Sequence, residues 1–245
     1  MLWAIIPLLS VAISLRSASA ESAATTNTTA PPLPTSFAIL LFPTYQLLDV
    51  FGPLDALTFL ISTHHLTLTL ISTLNTTAPI TNAPRHPSMN PHNSNFYPSL
   101  LPTHTLATAP RDIDVLVPGG LGTRAPDLDG AVSFVRERYP RLQHLIAICT
   151  GAGLAARAGV LDGRVATTNK GAWNATTALG PGVRWQWRAR WTRDGNLWTS
   201  NGVSAGLDAT LAWMGDVYGS ETAEQVARDM EYVWGRDGWD DPFAV

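Results

Sequence analysis

The sequence predicts an α/β protein with three layers, in which helices cover both faces of a mostly parallel sheet. Short, continuous apolar runs alternate with segments that have helical spacing, in the order strand, helix, strand, strand, helix, strand, helix from residue 36. The chain has 245 residues, of which 45% are hydrophobic and 14% charged, which suits a globular fold. No repeat or clear boundary follows residue 36, so we assign residues 36–245 to one domain.

The first half of this domain contains most of the predicted strands. Some are continuous apolar runs, such as SFAILLF and IDVLV, and one alternates, HLTLTLIS. The helices repeat apolar residues every three or four positions, and Pro53 lies close enough to a helix start to be tolerated. Strands are predicted at residues 36–42, 65–72, 103–106, 113–117 and 145–148, and helices at residues 47–61, at 127–139 and after Cys149. Residues 74–109, rich in Pro, Asn, Thr and His, predict a long loop.

The second half predicts three more strands and three helices. Residues 183–191, VRWQWRARW, alternate strongly enough to predict a strand. Trp185, Trp187 and Trp191 with their interleaved arginines resemble a nucleic-acid or sugar platform, but the net charge of -3 favours a sheet-edge strand, and we expect no nucleic acid as a partner. The remaining strands are predicted at residues 165–168 and 196–200, and the helices at residues 171–179, 204–218 and 222–233.

The N-terminus predicts secretion. Residues 1–20 combine an apolar run with small residues before position 20, as a signal peptide does, and residues 21–35 form a Ser/Thr/Pro-rich leader that we expect to be disordered. Glycosylation sequons begin at Asn27, Asn75 and Asn174. After signal removal we expect no membrane attachment.

Cys149, the only cysteine of the chain, lies between the strand at 145–148 and a helix that begins near Gly151. A nucleophile at such a turn needs small neighbours, here Ala147 and Gly151, and the helix N-terminus favours thiolate over thiol. The alternative is a buried structural cysteine. A lone cysteine in a secreted domain cannot form an internal disulfide, so it is either buried or used, which favours a functional Cys149.

Three loops follow the carboxyl ends of predicted parallel strands, the edge at which ligands bind in open α/β sheets. They carry Asp49, Gly119-Gly120 and Cys149. The N–H groups of Gly119, Gly120, Thr150 and Gly151 are candidates to stabilise a developing anion. Asp49 is either a first-turn helix acid or, because its neighbours are apolar, a carboxyl group with a raised pKa that carries a proton.

All six histidines precede Cys149, which excludes a cysteine hydrolase whose histidine follows the nucleophile. His144 begins the strand that Cys149 ends, roughly 13 Å away in extended chain. His86 and His92 lack metal-ligand spacing and are interpreted as solvated loop residues. We therefore predict chemistry by a cysteine and a carboxylate, with no metal and no cofactor.

Four blocks of the sequence resemble the ThiJ/PfpI superfamily, which has the class I glutamine amidotransferase-like fold. They are FPTYQLLDVFGPLDAL, LVPGGLGT, ICTGAGLAARAGVLDGRVATTN and WTSNGVSAGLDATL, and the C-terminal AEQVARDMEYVWGRDGWDDPF is similar to the end of the isonitrile-hydratase branch. The resemblance implies a flavodoxin-like sandwich with a cysteine nucleophile elbow, a homodimer, and a site of Asp49, Cys149 and Thr150. It also implies attack of the Cys149 thiolate on an isonitrile, giving an N-substituted formamide.

The chain departs from the family pattern in two places. Thr168-Asn169-Lys170 stands where many relatives carry a histidine, which argues against protease and amidotransferase chemistry, and the 74–109 loop is longer and richer in proline. We predict a secreted cysteine-dependent hydratase or lyase of a small molecule. Two alternatives stay open: a ligand-binding or thiol-sensing protein without turnover, and a glyoxalase-like or deglycase-like enzyme.

Overall fold

A computed structural model describes residues 32–245 of the protein. The strands are β1 (Ser36–Leu41), β2 (Thr67–Ser72), β3 (Ile80–Thr81), β4 (Ser99–Leu100), β5 (His104–Thr105), β6 (Val115–Pro118), β7 (His144–Ala147), β8 (Val165–Ala166), β9 (Arg184–Trp185), β10 (Trp191–Asp194) and β11 (Leu197–Ser200). The helices are α1 (Leu47–Thr58), α2 (Asp129–Arg138), α3 (Gly151–Arg157), α4 (Trp173–Thr177), α5 (Ala205–Val217) and α6 (Ser220–Asp229).

Seven strands form the central sheet in the order β10-β11-β7-β6-β1-β2-β5. All neighbours are parallel except the β10–β11 hairpin. The chain moves one way from β1 to β2 and the other way from β6 to β7, so the order reverses between β1 and β6. At such a point the loops after the two strands diverge and leave a crevice for a ligand.

Helices cover both faces of the sheet. Crossovers between parallel strands are right-handed, so α1, which moves the chain from β1 to β2, and α2, which moves it from β6 to β7, lie on opposite faces. The helix α5 packs with α1 and with α6, and α3 packs with α2 and α4. Both faces of the sheet are shielded from solvent at its centre, since β6 is buried along its whole length and β1 from its second residue onward. The predicted three-layer α/β/α fold is confirmed.

One strand prediction is wrong. Residues 183–191 form only the two-residue strand β9, followed by a turn, and Trp191 begins β10. The tryptophans of this segment do not share one face of a strand but have separate partners. The Trp185 indole donates to the Gly180 carbonyl at 2.9 Å, and the ring of Trp187 packs edge-on against Trp173 with centroids 5.1 Å apart. The small β8–β9 ladder lies outside the central sheet.

The segment between β2 and β6 is mostly loop, as predicted, with three two-residue strands. It packs against the loop that follows β1. The carbonyls of Thr81 and Ala83 accept hydrogen bonds from the amide (3.2 Å) and hydroxyl (2.7 Å) of Thr44. The segment therefore supports one of the three loops from which the site is built.

The predicted signal peptide, all but the last residues of the leader, and Asn27 lie outside the described residues. Within residues 32–245 the helices are too short or too polar to cross a membrane.

Candidate active site

Cys149 lies at a sharp turn between β7 and α3. Its backbone φ is 59°, a left-handed conformation that costs a non-glycine residue about 1–3 kcal/mol. Two contacts hold the turn: the Gly151 amide donates to the Ile148 carbonyl at 2.8 Å, and the Thr168 hydroxyl donates to the Cys149 carbonyl at 2.9 Å. A Cβ on Gly151 would lie 2.2 Å from the Pro118 carbonyl oxygen, so only glycine fits there. The predicted elbow is present, and Gly151 serves it by close packing.

Asp49 lies in the first turn of α1 and reaches the elbow across the end of β6. Its side chain is fully buried and contacts the Cys149 thiol. Oδ2 accepts a hydrogen bond from the Gly120 amide at 2.7 Å, whereas Oδ1 has no hydrogen-bond partner among residues 32–245. A buried carboxyl oxygen without a donor is expensive unless it carries a proton. Asp49 is thus placed to hold a proton beside the sulfur.

The Cys149 thiol and the Asp49 carboxyl shift one another's pKa. Burial raises the pKa of Asp49 to about 7, against the opposing effect of the Gly120 hydrogen bond. Burial and the neighbouring Asp49 raise the pKa of Cys149 to about 12, although the Thr150 amide and the Asn169 side chain favour the thiolate. The Thr150 amide at the helix N-terminus does favour the thiolate, but in the resting protein burial and Asp49 outweigh it. At neutral pH the sulfur carries its proton, and the carboxyl group is near its midpoint.

Thr150 connects the elbow to the glycine turn after β6. Its hydroxyl accepts a hydrogen bond from the Leu121 amide at 2.6 Å, and its own amide contacts the Cys149 sulfur. Leu121 has a φ of 96°, so this turn is strained as well. A Cβ on Gly120 would lie 2.6 Å from the Thr150 hydroxyl oxygen and 2.9 Å from Asp49 Oδ2. The absence of a side chain at Gly120 is what lets the two loops meet.

The structure gives two of the predicted anion-binding groups other partners. The Gly120 amide is engaged by Asp49, and the Gly151 amide by Ile148, so neither is free to bind a separate anion. Anion binding by Gly119 stays a prediction. The predictions assumed that amides at a helix start and in a glycine turn point outward; here they hold the carboxyl group and the turn itself.

Asn169 is a site residue that sequence reasoning considered only as a missing histidine. Its side chain contacts the Cys149 sulfur, and Oδ1 accepts a hydrogen bond from the Ala172 amide at 3.1 Å. With its oxygen engaged, the amide nitrogen is the end available as a donor, and it favours the thiolate. The sequence feature that could have identified Asn169 is its position directly after the strand that follows the elbow.

A cavity of about 600 Å³ opens beside the site. Its wall is formed by Leu48, which precedes Asp49, by residues 169–171 and 201–204, and by Phe243. The sulfur is not part of this wall, since Cys149 is only 5% exposed. Two residues of the wall are next to the reactive pair: Leu48 precedes Asp49 in the chain, and Asn169 contacts the Cys149 sulfur, so this cavity is the candidate approach for a small molecule.

Other predicted residues lie away from the site. His144, at the start of β7, packs its ring edge-on against Trp213 with centroids 5.7 Å apart. His86 and His92 are exposed, as are Asp55 on α1 and the sequon residues Asn75 and Asn174. Within residues 32–245 no cluster of three His, Cys, Asp or Glu side chains could hold a metal ion.

Comparisons with known proteins identify relatives that match most of the chain. The sequence model of the DJ-1/PfpI family matches residues 35–215. The chain is 30% identical over 198 residues to the isonitrile hydratase of Pseudomonas putida, an alignment that covers 79% of this chain and 77% of that protein.

Solved structures show the same fold. A ThiJ/PfpI family protein from Pseudomonas syringae superimposes with a TM-score of 0.67 at 26% identity, over 93% of this chain and 85% of that one. DJ-1beta of Drosophila melanogaster superimposes with a TM-score of 0.63 at 19% identity, over 82% of this chain and 100% of that one.

Proposed function

This chain belongs to the DJ-1/PfpI family, and on that premise we propose that it is a cysteine-dependent hydratase that converts a small isonitrile, R–N≡C, to an N-substituted formamide. The 30% identity to a protein named isonitrile hydratase supports the reaction class. The observation that carries the proposal is the direct contact between the Cys149 thiol and the buried Asp49 carboxyl group.

The chemistry of an isonitrile matches this contact. Its terminal carbon accepts both the nucleophile and the proton, so sulfur and acid must reach the same atom. A hydrolase, by contrast, protonates a leaving group on a different atom, usually with a histidine. Among residues 32–245 no histidine contacts Cys149. One sulfur and one adjacent carboxyl group are sufficient for addition to an isonitrile carbon.

In the first step, Asp49 in its carboxylate form accepts the S–H proton while the sulfur attacks the terminal carbon. The C–S bond forms, and Asp49 returns the proton to the same carbon, which gives the thioimidate Cys149–S–CH=N–R. The pKa of Asp49, about 7, allows this group both to accept and to return the proton near neutral pH. The Thr150 amide and the Asn169 side chain stabilise the sulfur while it is charged.

In the second step, water adds to the thioimidate carbon. Asp49 takes one proton from the water and passes it to the nitrogen, which gives a tetrahedral S–CH(OH)–NH–R adduct. The C–S bond then breaks, the hydroxyl proton returns to sulfur through Asp49, and R–NH–CHO leaves. One isonitrile and one water give one formamide, and the enzyme returns to its resting protonation state.

The test is turnover of cyclohexyl isocyanide, followed by formamide formation. Wild type should form product and Cys149→Ser should form none, with a thioimidate adduct on Cys149 detected by mass spectrometry after acid quenching. A panel of isocyanides without product, from protein whose circular dichroism shows an intact fold, would overturn the hydratase.

The same panel decides between the alternatives. Turnover of 2-oxoaldehydes instead of isocyanides would indicate the glyoxalase-like enzyme. Oxidation of Cys149 without any turnover would indicate the thiol sensor. The pKa of Cys149, raised to about 12, disfavours a sensor because peroxides react with thiolates.

We also propose that the protein is secreted. The motivating observations are the signal-like residues 1–20 and the sequons at Asn27, Asn75 and Asn174. The side chains of Asn75 and Asn174 are exposed, as glycan attachment requires. Mass spectrometry of protein recovered from the producing cells tests this: an intact residue 1 on the recovered chain would contradict secretion through this signal.

A second copy of the chain is the partner we propose. Leu48 and Phe51 expose apolar side chains on α1 and line a groove with Leu207 and Met230. Sedimentation of wild type as a dimer and of Phe51→Glu as a monomer is expected. A monomeric wild type would rule the dimer out.

A further inference from the structure

The C-terminal segment, residues 235–245, lies beyond the residues that the family model matches and runs along the edge of the central sheet. The Gly238 carbonyl accepts hydrogen bonds from the backbone amides of Arg190 (2.7 Å) and Trp191 (3.2 Å). The Trp191 indole donates to the Gly235 carbonyl at 3.3 Å. These bonds fix the path of the segment from β10 toward the cavity.

Asp241 anchors the end of this path. Its side chain is fully buried, and it accepts a hydrogen bond from the Asn201 side-chain amide. It also pairs with the Lys170 ammonium at 3.4 Å and faces the Arg190 guanidinium at 3.9 Å. Asn201 and Lys170 both belong to the cavity wall, so Asp241 fixes the C-terminal segment to the wall itself.

Phe243 follows two residues later and is placed by the anchor. Its amide donates to Asp241 Oδ1 at 3.3 Å. Phe243 lines the cavity and is 63% exposed. An aromatic ring that is held at the opening by a buried ion pair, yet is largely uncovered, offers an apolar surface to a ligand.

We propose that Phe243 is a specificity-determining residue, which forms the outer wall of the cavity and limits the size of the apolar substituent that a substrate carries to Cys149. The inference rests on the proposed function in so far as it assigns the cavity to the substituent R of R–N≡C. The reactive carbon lies at Cys149 and Asp49, and R extends past Asn169 into the cavity. Leu48 and Val203 are further apolar residues of its wall.

The size and lining of the cavity suit this role. About 600 Å³ lies within the range of small-molecule sites, which are mostly apolar with a few polar groups. The charges in the wall already have partners, since Lys170 pairs with Asp241 and lies over the Trp173 ring, 5.0 Å from its centroid. A neutral alkyl or aryl substituent is therefore the class that the cavity fits.

The experiment uses alkylation of Cys149, which is unambiguous because the chain has one cysteine. Rates are measured at one pH with iodoacetamide and with an N-naphthyl iodoacetamide. Phe243→Ala should raise the ratio of the naphthyl rate to the iodoacetamide rate roughly tenfold, the effect of small changes in pocket size on discrimination. Phe243→Trp should lower that ratio.

Trp239→Ala is the matched control, since Trp239 is an exposed aromatic of the same segment that does not line the cavity. It should leave the ratio unchanged. An unchanged ratio in Phe243→Ala, or the same change in Trp239→Ala, overturns the inference. Alkylation needs no turnover, so a failed isocyanide assay would count against the hydratase while the alkylation ratio still decides the role of Phe243.

Discussion

Two buried acidic regions of this protein differ in how their charge is compensated. At the elbow, Asp49 is fully buried beside Cys149, and one of its oxygens has no donor within residues 32–245. In the C-terminal ion cluster, which we define as Lys170, Arg190, Asp208 and Asp241, two cations face two carboxylates. Asp208 Oδ2 pairs with the Arg190 guanidinium at 2.5 Å, and Asp208 Oδ1 accepts from the Tyr232 hydroxyl at 2.9 Å.

This difference in charge compensation gives the two regions different roles, one chemical and one structural. A buried carboxyl group without a cation lowers its energy by binding a proton, and that proton is then available to a neighbour. A buried carboxylate with a cation and hydrogen bonds keeps its charge and fixes the elements that carry its partners. In this chain the first arrangement lies next to the sulfur, and the second fixes the cavity wall and the C-terminal segment.

The largest effect is expected when the ion cluster loses one charge. Arg190→Met leaves the buried carboxylate of Asp208 without its cation, and the free energy of unfolding should fall by about 3–5 kcal/mol. Urea unfolding followed by circular dichroism measures it. Asp49→Asn is the comparison, and it should not lower stability at neutral pH, since it removes a buried acid that has no cation. Equal losses in both variants would contradict the distinction.

For activity, the elbow variant should have the large effect that the ion-cluster variant has on stability. Asp49→Asn removes the proton carrier with little change of shape, and kcat should fall roughly a hundredfold or more, which is at least about 2.7 kcal/mol of transition-state stabilisation. The same variant removes the carboxylate that raises the pKa of Cys149, so its iodoacetamide alkylation should become faster. Turnover within about threefold of wild type would show that Asp49 does not carry the proton.

The sequence predicted the elbow more completely than the ion cluster. An apolar strand, a lone cysteine and small neighbours are local features, and the loops of Asp49 and Gly120 follow from the rule that parallel strands end at one edge. Lys170, Arg190, Asp208 and Asp241 come together only through tertiary folding, and nothing in their spacing indicates it. For the same reason the tryptophans of residues 183–191 suggested a strand, whereas they pack separately against Gly180, Trp173 and residues of the C-terminal segment.

The pH dependence sharpens the contrast further. The pKa of Asp49 rises from 3.8 to about 7 on folding, so between these values the folded protein holds a proton that the unfolded chain has released. Its contribution to stability is complete below pH 4 and is lost as the pH rises to 7. Between pH 5 and 6.5 the free energy of unfolding of wild type relative to Asp49→Asn should fall by about 2 kcal/mol.

Over the same pH range activity should increase while stability decreases, because the carboxylate form of Asp49 must accept the thiol proton. The value of kcat/KM should rise with pH and level off above about 7. A stability difference between wild type and Asp49→Asn that stays flat from pH 5 to 6.5 would show that Asp49 is ionised in the folded protein.

The smallest effect tests the boundary between the two regions, which falls between two consecutive residues. Asn169 contacts the Cys149 sulfur, and Lys170 pairs with Asp241. Asn169→Ser keeps an oxygen for the Ala172 amide but removes the donor to sulfur, so the pKa of Cys149 should rise and kcat/KM should fall roughly tenfold, as expected for one hydrogen bond to a charged group.

Lys170→Met is the matched variant. It keeps the aliphatic stem beside Trp173 but leaves Asp241 without its ammonium partner, so it should lower the free energy of unfolding and leave the alkylation rate of Cys149 unchanged. Slower alkylation in both variants would mean that the ion cluster reaches the sulfur through the backbone of residues 169–170, since the Lys170 amide is itself held by Asn201 at 3.3 Å. Slower alkylation in Asn169→Ser alone would place the boundary between the Asn169 side chain, which acts on the Cys149 sulfur, and the Lys170 side chain, which belongs to the ion cluster.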